Sequence, residues 1–237
     1  MNRRELLRAA VLAVPLLALS RVEANPPKTP PLKIGVIGAG SLGGTVGRLW
    51  VGAGHEVMFS SRHPEELVPM AKRLGSRASV GTAAEAAAFG DVILFAVPYD
   101  ALPVLGRDLA FALRGKVVLD ACNPGPGSTT ALTKNAEADG VAETSAKLLP
   151  GTRYVRVFNA VNATSISSSA RRTSAKLGVP LASDDAKAIE VATQLVRDVG
   201  SEPVVVGGLD AARGFQRRGP GFVADTTAPK LRKLLGL

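Results

Sequence analysis

A chain of 237 residues holds one large domain or two small ones, and 46% hydrophobic residues supply a core although aromatics reach only 4%. The formal charge of +9 suits anionic small ligands, while the scattered basic residues and the lack of any recognisable module argue against nucleic acid. With Cys122 as the single cysteine, a disulfide framework and a cysteine-rich metal site within one chain are excluded, and no metal is expected.

Residues 1–24 read as a signal peptide. A charged head (Asn2-Arg3-Arg4-Glu5) precedes an apolar run at 9–19 and the small-residue end Val22-Glu23-Ala24. The run is too short to span a bilayer, so no stable membrane span is expected. The order Asn2-Arg3-Arg4-Glu5-Leu6-Leu7-Arg8 resembles the twin-arginine export signal of bacteria, a receptor-read address. This predicts export by the twin-arginine machinery to the periplasm as a folded, cofactor-loaded protein; an uncleaved anchor or a cytoplasmic location is the alternative. Residues 25–31 (N-P-P-K-T-P-P) form a stiff proline-rich spacer.

Residues 32–237 are then expected to form a single α/β domain, doubly wound around a mainly parallel sheet. The apolar run 34–37 reads as a buried strand that ends in Gly38-Ala39-Gly40-Ser41-Leu42-Gly43, a G-x-G-x-x-G turn, and an amphipathic helix follows over 42–51. Strand before and helix after is the context that makes this pattern a dinucleotide site. Gly38 allows the tight turn, Gly40 lets the backbone approach a pyrophosphate, and Gly43 lets the helix pack close on the strand. The anion would sit on free N–H groups at the positive end of the helix.

Past the turn at Ala53-Gly54-His55, where His55 reads as a surface residue, a second strand spans 56–59. Its exit carries Ser60-Ser61-Arg62 where an NAD site commonly places an acidic residue, so a 2′-phosphate and hence NADP are expected. Next come a helix over 64–74, a short strand at 78–81 and a helix over 82–89 capped by Thr82. The apolar run 91–97 reads as a central parallel strand ending at Pro98, with Asp100 capping a helix over 101–113. Another buried strand, 116–120, exits into the loop 121–127. The exits at Gly38, Ser60, Val97 and Asp120 should line up at the carboxyl edge of the sheet, where ligands bind.

A helix over 143–149 precedes a strand at 154–158, which exits through Asn159-Ala160. The hydroxyl-rich stretch 164–169 reads as a polar loop before Arg171-Arg172, and no adjacent histidine or carboxylate supports a serine hydrolase. A strand at 178–182, a helix over 186–199 behind Ser183-Asp184-Asp185, a strand at 202–206 and helices near 209–215 and 229–235 complete the chain. Too few residues remain for a large helical second domain.

With these pieces in order, the chain resembles the NADP oxidoreductase family dependent on a deazaflavin coenzyme. The matching residues are K-I-G-V-I-G-A-G-S-L-G-G at 33–44, A-G-H-E-V at 53–57, S-S-R at 60–62, A-V-P at 96–98, D-A-C-N-P at 120–124, V-R-V-F-N-A at 155–160 and S-D-D at 183–185. The ferric-reductase domains of some membrane metalloreductases are similar in the same segments. The resemblance implies hydride transfer between NADPH and a flavin-like or deazaflavin ring, or to another small-molecule redox acceptor. It implies that Gly38, Ala39, Gly40, Ser41, Leu42 and Gly43 hold the pyrophosphate. Ser60, Ser61 and Arg62 would hold the 2′-phosphate, and Ala96, Val97 and Pro98 the ribose. Asn123, Asn159 and Ala160 would border the nicotinamide, the two asparagines being the candidate catalytic residues that orient a carboxamide or ring carbonyl. Arg171, Arg172, Arg213, Arg217 and Arg218 could attract an anionic acceptor. The alternative from a different class is a non-catalytic NADP-binding sensor or scaffold. A homodimer is compatible with the sequence, which leaves the oligomeric state open.

Overall fold

A computed structural model describes residues 30–237, so the signal-peptide reading and all but the end of the proline spacer lie outside the described residues. Eight strands form one sheet: β1 (Lys33–Ile37), β2 (Glu56–Ser60), β3 (Ala78–Gly81), β4 (Val92–Phe95), β5 (Val117–Asp120), β6 (Arg153–Val157), β7 (Gly178–Ala182) and β8 (Glu202–Gly207). Their order is β3-β2-β1-β4-β5-β6-β7-β8. The first six run parallel, β7 pairs antiparallel to β6, and β8 pairs parallel to β7. The apolar runs are explained by this placement: β4 and β5 are buried at every position because helices cover both faces.

One face packs against α1 (Ser41–Ala53), α2 (Val68–Leu74), α8 (Ala163–Ala170) and α9 (Ala186–Asp198), through Val36, Val46, Trp50, Ile166 and Leu195 among others. The other packs against α3 (Ala83–Phe89), α4 (Leu102–Asp108), α5 (Ala110–Leu113), α6 (Ala131–Asp139) and α7 (Val141–Leu148), through Ile37, Phe95, Leu102, Ala136 and Val141. A 3-10 segment, Leu209–Phe215, closes this second face with Phe215, and α10 (Ala228–Leu235) packs on β8 through Leu231 and Val204. Trp50 anchors the first face: its indole N–H donates to the Leu195 carbonyl at 2.9 Å and its ring stands edge-on to Phe158 at 6.0 Å.

Three expectations are corrected and one helix is added. His55 does occupy the turn, but it is 2% exposed rather than on the surface. Its Nδ1 accepts the Leu32 N–H at 3.1 Å, which leaves the ring proton on Nε2 for Asp198 at 3.0 Å. The serine-rich stretch is the helix α8, not a loop, and Ser169 is buried because its hydroxyl joins the Gly200 carbonyl to the Leu177 N–H. The helix expected over 101–113 is broken: a 3-10 turn (Tyr99–Ala101) leads into α4, and Leu109 separates α4 from α5. Asp100 accepts the Thr130 hydroxyl instead of capping a helix, and Pro103 sits in the first turn of α4, where proline is tolerated. Finally, α6 occupies a stretch with no sequence-based assignment, its start capped by Thr130.

Candidate functional site

The parallel register sets the strand exits in one row. Ile37 pairs with Ser60 on one side and Phe95 on the other, Phe95 with Asp120, and Asp120 with Arg156. The expected edge therefore exists, with the glycine turn near its middle.

At that turn each glycine has its own steric reason. Gly38 has φ +96°, and a Cβ there would stand 2.4 Å from the Ala96 carbonyl oxygen. A Cβ on Gly43 would lie 2.1 Å from the Gly38 carbonyl oxygen, so this glycine lets α1 close on β1. Gly40 has nothing within 4 Å of such a Cβ. Its crowding would come only from a ligand. Gly40 is also the N-cap of α1, with no side-chain cap and no acidic residue in the first turn. Backbone N–H groups of Ser41, Leu42 and Gly43 thus lie at an uncapped positive helix end.

At the exit of β2 the three residues separate. Ser60 is 1% exposed, and its hydroxyl donates to the Val36 carbonyl at 3.0 Å. Its carbonyl receives the Gly38 and Ala39 N–H groups at 3.1 and 2.9 Å. Ser60 therefore shapes the glycine turn and offers no free hydroxyl to a 2′-phosphate, contrary to the sequence-based expectation. Arg62 is exposed beside the half-buried Ser61, whose oxygen accepts the His63 N–H at 3.0 Å.

Ala96 and Val97 are half-buried and Pro98 exposed at the exit of β4. The exits of β5 and β6 are tied together by a buried polar network. The Asp120 carboxylate accepts Arg156 Nη1 and the Tyr154 hydroxyl, each at 2.6 Å, and the Cys122 N–H at 2.8 Å. Arg156 Nη2 donates to Asn123 Oδ1 at 2.7 Å, and Asn123 Nδ2 donates to the Asn159 carbonyl at 2.7 Å. Asn159 Nδ2 donates in turn to the Phe215 carbonyl at 3.1 Å. Burial, reinforced by the Asp120 charge, pushes the Cys122 thiol and the Tyr154 phenol well up, so both stay protonated; Cys122 is a buried thiol and not a nucleophile. For Arg156 burial is the largest single effect and acts downward, but Asp120 and its neighbours together outweigh it and the guanidinium stays charged. Phe158 stands at φ +62°, a costly conformation for a bulky residue. The turn it makes carries its ring onto Trp50 and sends Asn159 toward Phe215.

Beside Asn123 opens a cavity of about 220 Å³ lined by Pro124, Glu137, Val141 and the segment Arg213, Gln216, Arg217, Arg218 and Gly219. Arg213 is committed to structure, bridging Glu143 at 3.1 Å and donating to the Ala138 and Asp139 carbonyls. Arg217 lies over the Phe222 ring at 5.4 Å, with one nitrogen 3.4 Å from the Pro124 carbonyl and its Nε buried without a partner. Arg171 and Arg172 lie instead at the far end of α8, away from this cavity's lining. Sequence reasoning placed Asp120 at a strand exit but gave no role to it, to Tyr154 or to Arg156. The available signal was a charged residue inside the apolar run of β6. Among the described residues no cluster of histidine, cysteine and carboxylate side chains could hold a metal, and no helix is long and apolar enough to cross a membrane.

A mostly parallel sheet with helices on both faces, a glycine turn at the carboxyl edge and an uncapped helix behind it define a Rossmann-type NAD(P)-binding fold. Residues 33–124 match the family model described as NADP oxidoreductase, coenzyme F420-dependent. The chain is 29% identical over 203 residues to the F420-dependent NADP reductase of Methanothermobacter thermautotrophicus, covering 80% of this chain and 87% of that protein. It is 28% identical over 193 residues to the metalloreductase STEAP3 of Rattus norvegicus; the match covers 80% of this chain but spans only 36% of the rat protein's length. A crystal structure of a protein from Arthrobacter sp. FB24, provisionally described as an F420-dependent NADP reductase, superposes with a TM-score of 0.65 at 24% identity, over 86% of this chain and 95% of that one. This last likeness speaks for the fold alone.

Proposed function

We propose that the protein transfers hydride between NADPH and a flavin-like or deazaflavin acceptor. The observation that carries this reading is the single row of strand exits. It sets an open glycine turn, an exposed Arg62 and a cavity beside Asn123 along one edge. The uncapped start of α1 fits the pyrophosphate of NADP: Gly40 leaves room for backbone approach, and the first-turn N–H groups supply donors. Arg62 and Ser61 fit the 2′-phosphate, while Asn123 and Asn159 would orient the carboxamide or a ring carbonyl. The dinucleotide supplies the hydride; the chain's own residues align the rings and exclude water. Arg217 and Arg218 at the cavity favour an acceptor that carries negative charge.

A second reading is favoured by the match to the rat metalloreductase: reduction of a ferric chelate, directly or through a flavin. Residues 1–24 fit with either reading as an export signal, which cell fractionation of the tagged protein tests.

The deciding experiment incubates purified protein with NADPH or NADH and, in turn, a deazaflavin, free flavins and ferric chelates, following nucleotide absorbance. Oxidation of NADPH with the deazaflavin or a flavin is the expected result. Turnover with ferric chelates alone selects the second reading, and tight NADPH binding without turnover on any acceptor makes the protein a sensor or scaffold.

A further inference from the structure

We propose that Arg156 is a positioning residue of this site, acting by locking the side-chain amide of Asn123 in one orientation as a hydrogen-bond donor at the cavity wall. The inference rests on the reading above that the cavity beside Asn123 is where the acceptor meets the nucleotide. Arg156 is fully buried in the sheet, on the strand beside Asp120. Taking a guanidinium out of water is costly even when it is paired, so a buried ion pair is poor support for stability alone. A clip between β5 and β6 would need only the contact with Asp120. This guanidinium spans two partners, Asp120 through Nη1 at 2.6 Å and Asn123 through Nη2 at 2.7 Å. A lysine has three N–H donors but lacks the planar fork that holds two partners in fixed directions.

The polarity of Asn123 follows from the chemistry of its neighbours. Arginine carries donors only, so the amide oxygen must face Arg156, and the NH₂ then faces the Asn159 carbonyl at 2.7 Å. The flipped amide would set NH₂ against guanidinium and oxygen against oxygen. One N–H of Asn123 is used on Asn159, and the second is what the residue offers to the cavity it lines. Asn123 therefore selects an acceptor atom, a carbonyl or an anionic oxygen. The chain of bonds continues from Asn159 to the Phe215 carbonyl, just before Arg217. One buried cation thus orders both strand exits and the base of the loop that carries Arg217 and Arg218.

The test compares Arg156→Lys, Asn123→Ala and the double variant for NADPH affinity, kcat and acceptor KM. Alongside, the ¹⁵N-labelled side-chain amide of Asn123 is read by NMR for hydrogen exchange. Arg156→Lys should keep NADPH affinity within about twofold yet lose about tenfold or more in kcat/KM for the acceptor, the scale of a misplaced positioning group. The double variant should be no worse than Asn123→Ala, and the Asn123 amide should exchange faster in Arg156→Lys than in the wild type. Additive losses, wild-type turnover in Arg156→Lys, or an unchanged amide signal would each overturn the proposal. If Arg156→Lys does not fold, Asp120→Asn/Arg156→Met removes both buried charges and is held to the same outcomes. If the wild type reduces no acceptor, the functional reading fails by itself; the amide signal of the free protein still decides whether Arg156 locks Asn123.

Discussion

At the residue scale, the three glycines of the turn look equivalent in sequence but are not equivalent in space. Gly43→Ala drives a methyl into the Gly38 carbonyl, and overpacking of this kind costs about 1–3 kcal/mol. Gly40→Ala meets open space, and at its φ of −70° the loss of a favoured N-cap glycine, under about 1 kcal/mol, is offset by the reduced freedom of the unfolded chain. Thermal melts and NADPH titrations of the two variants should therefore diverge. Gly40→Ala should melt like the wild type but bind NADPH more weakly, whereas Gly43→Ala should lose both stability and binding. Equal NADPH affinity in Gly40→Ala would place the pyrophosphate elsewhere. Arg62 is exposed and, with Ser60 turned inward, supplies the charge at the β2 exit. Arg62→Ala should weaken NADPH about 10- to 100-fold, the value of a hydrogen bond to a charged group, and leave NADH unchanged by titration.

At the scale of elements, α9 shows how one carboxylate serves two tasks. Asp185 caps the helix by accepting the Ala188 N–H at 3.1 Å and holds Arg153 of β6 through two bonds of 2.7 Å. The Arg153 hydrogen bonds first, then the Ala188 N–H, hold its carboxyl well below the usual carboxylate range. A group depressed in the folded state stabilises it fully above its unfolded pKa of about 3.9 and loses that contribution as pH falls through the folded value. Asp185→Asn should therefore be less stable than wild type in denaturant titrations at pH 7, and the gap should narrow below about pH 4. A gap independent of pH would mean that the Arg153 pair contributes nothing. The reading of 183–185 as a helix start was legible because acidic side chains before an apolar periodic run signal a cap. The helix α8 was not legible, because serines favour turns locally and only burial against α1 and the bonds of Ser169 override that preference.

At the scale of the whole molecule, a charge of +9 gains local meaning where Arg217 and Arg218 border the cavity. Replacing both by alanine should raise KM for an anionic acceptor about tenfold at low salt, flatten its dependence on ionic strength and leave NADPH affinity unchanged. The same change for an uncharged acceptor would argue for lost packing instead. The sequence by itself determined the doubly wound sheet, the glycine turn and the row of strand exits. These follow from local signals: unbroken apolar runs, glycines at fixed spacing, and the parallel crossovers that strand–helix alternation imposes. Only the tertiary structure decided which polar residues remain available at that edge. It turned Ser60 inward to Val36, buried His55 between Leu32 and Asp198, and brought Arg156, Asn123 and Asn159 together across two neighbouring strands. Hydrogen-bond partners 23 to 143 residues apart in the chain carry no local signal; burial forces each such group to find a mate, and the fold alone determines which one.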